Sequence, residues 1–454
     1  MNVIWAEQAL TADGWAKDVR VEVGADGRIA SVTPDSPPVG HCVGALLPAP
    51  ANSHSHAFQR AMAGLTEQRG ASKSDSFWTW RHLMFRFLDA LTPDQVQAIA
   101  ALVQMEMLEA GFATNVEFHY LHHQPGGRAY DRLGEMAERI AAAAETSGVG
   151  LTLLPVHYQF GGCDQRPLAP GQVRFGNDPD QFARLIEASR AALGTLPADT
   201  VLGVAPHSLR AVSQEDLRRA AGWVAEGPVH LHLAEQIPEV EEVQAHWGAR
   251  PVDWALDNLP LDPRWCLIHL TQMTPKETDT LAKTGVVAGL CPLTEASLGD
   301  GVFDGIRWGD AGGRMSIGSD SNIRISLAEE LRQLDTSQRL RDHSRAAMAT
   351  AEHSTGRRLF EAICHGGAQA AGRGSGCLEV GGWADLLALN TQHIDLEGLQ
   401  KDTLLDSFAF TGDNRMISDV WAAGRHLVQE GQHIRRAEIT NAYRKAVRTL
   451  RDGL

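Results

Sequence analysis

The chain has 454 residues, enough for one large domain and a smaller one, because a domain usually holds roughly 100–200 residues. It is 43% hydrophobic and 21% charged, an ordinary globular composition that excludes a disordered, collagenous or coiled-coil protein. Its 41 Lys and Arg against 56 Asp and Glu give a net charge of −15, which argues against nucleic acid or an anionic membrane as partner.

The same sequence shows no sign of membrane insertion or secretion. No apolar run approaches the ~20 residues of a membrane span, and the start MNVIWAEQAL lacks the basic and apolar regions of a signal peptide. The six cysteines are scattered without a CxxC pair, which is typical of a reduced compartment. We therefore expect a cytoplasmic protein that acts on a small molecule.

Both ends of the chain carry short alternating segments that predict β-strands. Near the start these segments are VIWAEQALT, DVRVEV and RIASVTP, and near the end LEVGGWADLLALN (378–390) and ISDVWAAGRHLVQEGQ (417–432). We expect the two ends, residues 1–44 and 373–454, to form one small β-sandwich domain with a C-terminal helix. This domain would enclose a catalytic domain of residues 45–372.

The central region repeats short apolar runs separated by helical segments. The runs are ALLPAPAN (45–52), FATNVEFHY (112–120), GLTLLPVHY (150–158), VLGVAPHS (201–208), VHLHLAE (229–235), WCLIHL (265–270), VVAGLCP (286–292) and RMSIGSD (314–320). Eight strand–helix alternations predict an α/β fold of the (β/α)8 barrel type, with a doubly wound sheet as the alternative.

Local signals place some of the helices between these strands. Thr92, Pro93 and Gln95 form a capping box with a first-turn proline, and Gly111 can end the helix that they begin. Residues 66–91 do not fit the alternation of strands and helices, because they hold a polar stretch followed by the aromatic segment FWTWRHLMFRFL. Long loops after barrel strands often cover an active site, so we expect this segment near the site.

Histidines and carboxylates follow the predicted strands on one side of the barrel. His54 and His56 end the first strand, where a side-chain period of two points both imidazoles the same way. His230 and His232 repeat that spacing on the fifth strand, and Glu235 follows them. With His269 after strand six and Asp320 after strand eight, this set predicts zinc- or iron-type ligation.

The series H-x-H, H-x-x-E, H and D, together with WADLLALN, resembles the deaminase branch of the amidohydrolase superfamily over nearly the whole chain. The resemblance implies four metal ligands: His54, His56, His232 and Asp320. It makes Glu235 the proton shuttle and places His269 beside the attacking water, while Asp320 can also serve as the base. His230 receives no role and is expected either to support the metal ligands from behind or to be structural.

The lysines favour one metal ion over two. Dinuclear members of that superfamily usually bridge their ions with a carboxylated lysine on the fourth strand, but none of this chain's lysines lies on strands two to five; they stand at 17, 73, 276, 283, 401 and 445. We expect one divalent ion per chain, Zn²⁺ before Fe²⁺.

Arginines near the predicted mouth favour a substrate with carboxylates, because a planar guanidinium binds a carboxylate through two hydrogen bonds. Arg81 lies in the aromatic segment and Arg210 follows strand four. A solvated loop residue is the alternative interpretation of Arg210. On a chain of charge −15, several arginines at one mouth nevertheless indicate an acidic ligand.

Six segments in order resemble the formiminoglutamate deiminases, a family within that branch: HSHAFQRAMAGL, DSFWTWRHLMFR, EFHYLHH, APHSLRAV, HLHLAEQ and CPLTEASLGDG. The resemblance implies hydrolysis of N-formimino-L-glutamate to N-formyl-L-glutamate and ammonia in histidine degradation. It implies five substrate contacts: Gln59, Arg81, Tyr120, His207 and Arg210. It also implies a homodimer in which the loop that carries Arg81 crosses over, so that Arg81 serves the neighbouring subunit's site.

Two rival functions remain open at the level of sequence. A purine or pyrimidine deaminase of the guanine or cytosine type could use the same scaffold, but its pocket would bind a ring with amides and aromatic side chains rather than arginines. A non-catalytic relative would be expected to have lost metal ligands, whereas all of the implied ligands are present here.

Overall fold

The computed structural model describes residues 2–67 and 77–452, except for the side chains of residues 77–82 and 452. Its strands are β1 (Asn2–Thr11), β2 (Gly14–Val23), β3 (Ile29–Thr33), β4 (His41–Pro48), β5 (Ala51–Ser55), β6 (Thr114–His119), β7 (Gly150–His157), β8 (Val201–Leu202), β9 (Ala205–Pro206), β10 (Val229–Leu233), β11 (Trp265–His269), β12 (Val287–Leu290), β13 (Arg314–Ile317), β14 (Leu386–Leu389), β15 (Ile417–Ala422), β16 (Arg425–Gln429) and β17 (Gln432–His433).

The helices alternate with the strands through the central part of the chain. They are α1 (Phe77–Ala90), α2 (Pro93–Glu109), α3 (Glu135–Ser147), α4 (Pro179–Leu193), α5 (Gln214–Arg219), α6 (Ile237–Trp247), α7 (Pro251–Asn258), α8 (Pro275–Leu281), α9 (Pro292–Leu298), α10 (Gly305–Asp310), α11 (Leu327–Asp342), α12 (Thr355–Ala370), α13 (Asp402–Phe410) and α14 (Arg436–Asp452).

Strands β5 to β13 form a closed parallel barrel. Ladders join β5, β6, β7 and β8 in one run and β10, β11, β12 and β13 in another, with β9 paired to β7. Parallel bridges close the two gaps: Val204 to Val229 and Ser208 to His232 on one side, and Ser55 to Asp320 on the other. The predicted (β/α)8 barrel is therefore confirmed.

The two chain ends meet in one sheet, as predicted. Over the described residues its order is β17-β16-β15-β14-β4-β1-β2-β3, so C-terminal strands adjoin N-terminal ones at the β14–β4 pair. Alternate residues of the sheet enter two apolar clusters: Leu47 and Leu387 pack in the cluster shared with the barrel, whereas Leu46 and Leu386 pack in a separate one. One face of the sheet thus packs against the barrel.

The run predicted as the first barrel strand differs from the observed strands. Residues 45–48 belong to β4 of the terminal sheet, and the barrel strand β5 begins only at Ala51. Pro48 is the last residue of β4 and Pro50 directly precedes β5, because a proline lacks the N–H that a central strand must donate. The predicted domain boundary at residue 44 falls inside β4 and stays a prediction.

The polar residues at the starts of two helices act as helix caps in the structure. Thr92 and Gln95 form the complete capping box of α2, and Gly111 follows its end with φ +96°. Ser326 accepts the N–H of Glu329 at the start of α11. Among the helices of the described ranges, none is both long and apolar enough to cross a membrane.

Candidate active site

A pocket of about 600 Å³ opens where the barrel strands end at their carboxyl termini. Side chains from seven of the strand ends and from the helices above them line it: His56, Gln59, Met84, Tyr120, Tyr158, Phe175, His207, Arg210, His232, Glu235, His269, Thr294, Leu298, Asp320 and Ser321. In barrels of this kind the active site occupies this face, so the pocket is the candidate active site.

Three imidazoles converge at the floor of the pocket. The Nε2 atom of His54 lies 3.1 Å from that of His56 and 3.1 Å from that of His232. All three side chains are buried, His54 completely. The spacing of two residues in β5 and the register of β10 across the barrel bring them together, as the strand pattern predicts.

Asp320 completes this group from the end of β13. Its Oδ1 lies 3.3 Å from Nε2 of His56 and 3.7 Å from Nε2 of His54. Backbone bonds fix its place, because Asp320 N donates to the His54 carbonyl and His56 N donates to the Asp320 carbonyl, each at 2.9 Å. Gly318 permits this approach, since a Cβ there would lie 2.6 Å from that of His54.

The hydrogen bonds define which imidazole nitrogens face one another. Nδ1 of His56 lies 3.1 Å from the Phe118 carbonyl, and Nδ1 of His232 lies 3.1 Å from the His207 carbonyl. A carbonyl only accepts, so both Nδ1 atoms carry the proton and both Nε2 atoms present lone pairs. Burial lowers the pKa of His56 to about 3 and that of His232 well below its usual value, which keeps both rings neutral.

This donor set fits a divalent metal ion. Neutral Nε2 atoms and one carboxylate oxygen are zinc- and iron-type ligands, and carbonyl partners on Nδ1 are the usual support of metal-binding histidines. A tetrahedral zinc with bonds of about 2.0–2.1 Å would separate its ligands by about 3.3 Å, close to the 3.1–3.7 Å observed. Within the described chain, the ligand atoms of His54, His56 and His232 form one compact group, and those of His54, His269 and Asp320 another.

His269 and Glu235 lie beside the four converging side chains. Nε2 of His269 is 3.8 Å from Oδ2 of Asp320 and 3.9 Å from Oε1 of Glu235. Its other nitrogen, Nδ1, lies 3.2 Å from Oε1 of Glu295. Burial alone would lower the pKa of His269, but the three surrounding carboxylates outweigh it and raise that pKa to about 10.

Left-handed backbone conformations cluster at these strand ends. Ala234 has φ +53°, His269 has φ +75° and Asp320 has φ +46°. Such values are costly for residues other than glycine and persist where the surroundings hold them, often at functional sites. Here they turn the chain sharply out of three strands, so that the side chains around the turns enter the pocket.

Four of the five predicted substrate contacts line the same pocket. Gln59 donates to the Tyr120 hydroxyl at 2.8 Å, the His207 ring lies beside the Tyr120 ring with centroids 5.9 Å apart, and Arg210 also lines the pocket. Burial alone would lower the pKa of the half-buried Arg210, but the negative charges of Glu239, Glu235 and Glu242 raise it. The side chain of Arg81 lies outside the described residues.

Two other polar residues, His230 and Arg60, make their contacts outside the pocket. His230 is fully buried and Nε2 of its ring lies 2.8 Å from the Ala370 carbonyl, so its contacts are structural, as expected. Arg60, beside Gln59 in sequence, forms two hydrogen bonds with the Glu106 carboxylate at 2.8 and 3.1 Å.

The sequence did not single out several residues of this wall. The pocket-lining side chains missed were Met84, Tyr158, Phe175, Thr294, Leu298 and Ser321. Tyr158 could have been predicted to line the pocket, because it directly follows β7 in the same way that Tyr120 follows β6. Phe175 and Leu298 carried none, since they come from a loop and a helix end whose position depends on the packing of distant elements.

Together these features define a class of protein: a (β/α)8 barrel whose C-terminal face holds a three-histidine, one-aspartate group beside an acid and a further histidine. That arrangement can activate water and move protons to a leaving group.

Comparison with known proteins agrees with this class. Residues 45–427 match the family model described as the amidohydrolase family, and residues 1–41 match the model of the N-terminal domain of formimidoylglutamate deiminase HutF. A formimidoylglutamate deiminase of Pseudomonas aeruginosa is 45% identical over 438 residues, which cover 95% of this chain and 96% of that protein.

Solved structures show the same fold. An amidohydrolase from Brucella melitensis has a TM-score of 0.95 and 46% identity, with 99% of this chain and 100% of that chain covered. An adenosine deaminase from Xanthomonas campestris, solved with bound zinc, has a TM-score of 0.81 at 22% identity, with 99% and 98% covered.

The chain belongs to the amidohydrolase family and, within it, to the formimidoylglutamate deiminases. The resemblance inferred from the six segments is thus confirmed, as is the predicted enzyme class, a hydrolase of C–N bonds. The family is metal-dependent, and the His and Asp groups on the pocket floor can hold a metal ion.

Proposed function

We propose that this enzyme hydrolyses N-formimino-L-glutamate to N-formyl-L-glutamate and ammonia, a step of histidine degradation. One observation carries the proposal: three of the candidate metal ligands, His56, His232 and Asp320, line the same pocket of about 600 Å³ as Arg210. The substrate has a cationic formimino end and two carboxylates, so it needs an acidic group at one end of its site and arginine at the other. The 45% identity to a formimidoylglutamate deiminase supports this assignment.

The proposed metal ligands are His54, His56, His232 and Asp320, holding one divalent ion, with zinc favoured over iron. When bound, the ion lowers the pKa of a water molecule to about 7 and so supplies a nucleophile at neutral pH. Asp320 acts as the base in this step through the carboxylate oxygen that does not face the ligand histidines. Its Oδ1 faces His54 and His56, whereas its Oδ2 faces His269 and can accept a proton from the water.

The water oxygen bonds to the formimino carbon and the C=N bond becomes single. His269, with Nε2 3.8 Å from Asp320 and 3.9 Å from Glu235, is placed to hydrogen-bond to that oxygen and so stabilise the negative charge that develops on it. Asp320 and Glu235 take the two protons of the water; one passes to the terminal nitrogen, which already carries two hydrogens, and the other is released to solvent. The C–N bond then breaks, ammonia leaves with the bonding electrons, and the formyl C=O forms.

The proposed substrate contacts are Gln59, Tyr120, His207 and Arg210, together with Arg81. Arg210 suits a carboxylate of the glutamate moiety. Glu235, in the same pocket, suits the cationic formimino group. Arg210 would favour a dicarboxylate over a flat nucleobase, which offers no carboxylate to an arginine.

Two further features are proposed from the resemblance. The enzyme is a homodimer in which the segment 66–91 brings Arg81 to the neighbouring subunit's site, and sedimentation equilibrium measures that state. It acts in the cytoplasm, which agrees with six cysteines that are all free.

The direct test is ammonia release by metal-reconstituted protein. Formiminoglutamate is assayed beside guanine, cytosine and adenosine at equal concentrations. We expect turnover with formiminoglutamate that exceeds turnover with each ring substrate by at least about 10³-fold, because the ring substrates offer no carboxylate to Arg210. Faster release from a nucleobase would contradict the proposal and favour the ring deaminase.

A further inference from the structure

Glu239 is a buried carboxylate just behind the pocket wall. It lies in the first turn of α6, and its side chain and backbone together are only 2% exposed. Its Oε1 accepts the backbone N–H of Ala234 at 3.1 Å, and its Oε2 accepts that of Glu235 at 2.9 Å. One side chain thus binds two consecutive peptide groups at the end of β10.

These bonds hold a turn that would otherwise be unfavourable. Ala234 adopts φ +53°, a left-handed conformation that is costly for alanine. The turn points both N–H groups toward Glu239, and hydrogen bonds to a charged acceptor are stronger than neutral ones. Glu239 therefore fixes the place at which the chain leaves β10, between the His232 ring and the Glu235 carboxylate.

The carbonyl side of the same turn is held from the neighbouring strand. Thr271 donates its hydroxyl to the Glu235 carbonyl at 2.5 Å, and Gln272 N donates to the Ala234 carbonyl at 2.9 Å. The peptide groups of Ala234 and Glu235 are thus anchored on both sides. Of these anchors, Glu239 is the charged one.

The same carboxylate faces the arginine of the pocket. The negative charge of Glu239 favours the charged form of Arg210, and Arg210 in turn offsets part of the effect of burial, which raises the pKa of Glu239. A buried carboxylate without such a cation would be costly. Glu239 therefore interacts with two residues of the proposed substrate site, the shuttle Glu235 and the cation Arg210.

We infer that Glu239 is a positioning residue that sets the distance between the proton shuttle Glu235 and the carboxylate-binding Arg210. It does not touch the substrate; it acts through the backbone of Glu235 and the charge of Arg210. The inference rests on the proposed function, because it assigns Glu235 and Arg210 their roles from it.

The test compares Glu239→Gln with Glu241→Gln, an exposed glutamate on the same helix. Glutamine keeps the shape but presents an amide NH2 to one of the two N–H groups, and it removes the charge beside Arg210. Four quantities are measured on each protein: kcat and KM for formiminoglutamate, bound zinc, and amide hydrogen exchange in a peptide covering residues 229–236.

We expect the Glu239→Gln enzyme to fold and to retain zinc. Its kcat should fall at least about tenfold, because a small misplacement of a catalytic group strongly lowers the reaction rate. KM should rise as Arg210 loses its partner, and exchange should increase at Ala234 and Glu235. Glu241→Gln should match the wild type in all four measurements. Combining Glu239→Gln with Arg210→Gln should raise KM by less than the product of the single effects, because the residues interact.

A zinc-loaded Glu239→Gln enzyme with kcat and KM within about twofold of the wild type would overturn the inference. A purely structural role would lower the folded fraction but leave KM of the active enzyme unchanged, and that result would overturn it too. If Glu239→Gln does not fold, Glu239→Asp, which keeps the charge but cannot reach both N–H groups, must show the same changes in smaller degree. Wild-type protein without turnover would contradict the proposed function instead, and the exchange measurement would still test Glu239.

Discussion

The two carboxylate oxygens of Asp320 face different groups in the site. Its backbone is bonded on both sides to the strand that carries His54 and His56, so the carboxylate cannot move away from the imidazoles. One oxygen faces those rings and the other faces His269. A single aspartate can therefore serve as ligand and as base.

Glu235 gives the sharpest residue-level prediction. Its side chain is buried, and its Oε1 lies 3.9 Å from Nε2 of His269. Among the described residues, no ion pair joins Glu235 to any of the three converging imidazoles. Glu235→Gln should keep the metal but lower kcat by about 10²–10⁴-fold, because an amide cannot carry the proton. Zinc content and kcat are measured on the same sample.

Arg184→Met, on an exposed helix face, provides the control and should leave kcat unchanged. Wild-type kcat in zinc-loaded Glu235→Gln would remove Glu235 from the proton path.

The residues that the sequence identified are those fixed by local rules. A period of two in a strand places His54 and His56 on one side, and a strand end places Tyr120 in the pocket. Glu239 and Glu295 were not predicted, although each bonds to a catalytic candidate or its backbone. Their partners are set by helix placement above the barrel, which no short sequence pattern encodes.

At the level of elements, the strand ends do most of the positioning. Strand four is split into β8 and β9 around Gly203, whose Cβ would lie 2.5 Å from the Pro228 carbonyl oxygen. The backbone there passes too close to its neighbour for a side chain. The sequence run 201–208 predicted one strand, since an apolar run shows where a strand lies but not where close packing interrupts its ladder.

Strand β6 and the loop after it contain buried histidines whose titration should affect stability. Burial lowers the pKa of His119 to about 4 and that of His122 well below its usual value. The unfolded chain binds protons near pH 6.5 while the folded chain resists them, so these rings stabilise the fold above pH 6.5 and that contribution is lost as the pH falls toward 4.

His119→Leu should therefore flatten the dependence of the unfolding free energy on pH. For His119 alone the loss between pH 7 and pH 5 is about 2 kcal/mol. Denaturant unfolding at several pH values measures it on zinc-loaded protein. An equal slope in the wild type and His119→Leu would show that His119 is not the titrating group.

At the scale of the whole molecule, a buried ion-pair network joins the terminal sheet to the barrel. Arg373, fully buried after α12, contacts Asp385 at 2.8 Å and Asp199 at 2.7 Å. Arg425 on β16 binds the same Asp199 at 2.8 Å. This network lies at the amino ends of the strands, away from the pocket, where barrel residues serve stability.

Arg373→Met should lower the free energy of unfolding by about 3–5 kcal/mol, because it leaves buried carboxylates without their partner. KM should not change, since the pocket lies at the opposite face. Thermal unfolding and kinetics are measured together, with Arg415→Met, an exposed ion pair with Asp413, as the control. A strong rise in KM would show that the sheet also shapes the active site.

The overall architecture was predictable because the repeating strand–helix rhythm and the matching ends extend along the whole chain. The proline break that divides β4 from β5 was the main difference, and it moved residues 45–48 from the barrel into the terminal sheet. Which strand of one chain end lies beside which strand of the other was not predictable, since such pairings join residues hundreds of positions apart.

The most direct test of the central claim is a titration of metal-free protein with Zn²⁺ while ammonia release from formiminoglutamate is followed. Four converging ligands predict that activity rises linearly and stops rising at one ion per chain, and that His232→Ala neither binds this ion tightly nor turns over. Full activity in the presence of a chelator, or a break at two ions per chain, would contradict a single metal held by His54, His56, His232 and Asp320.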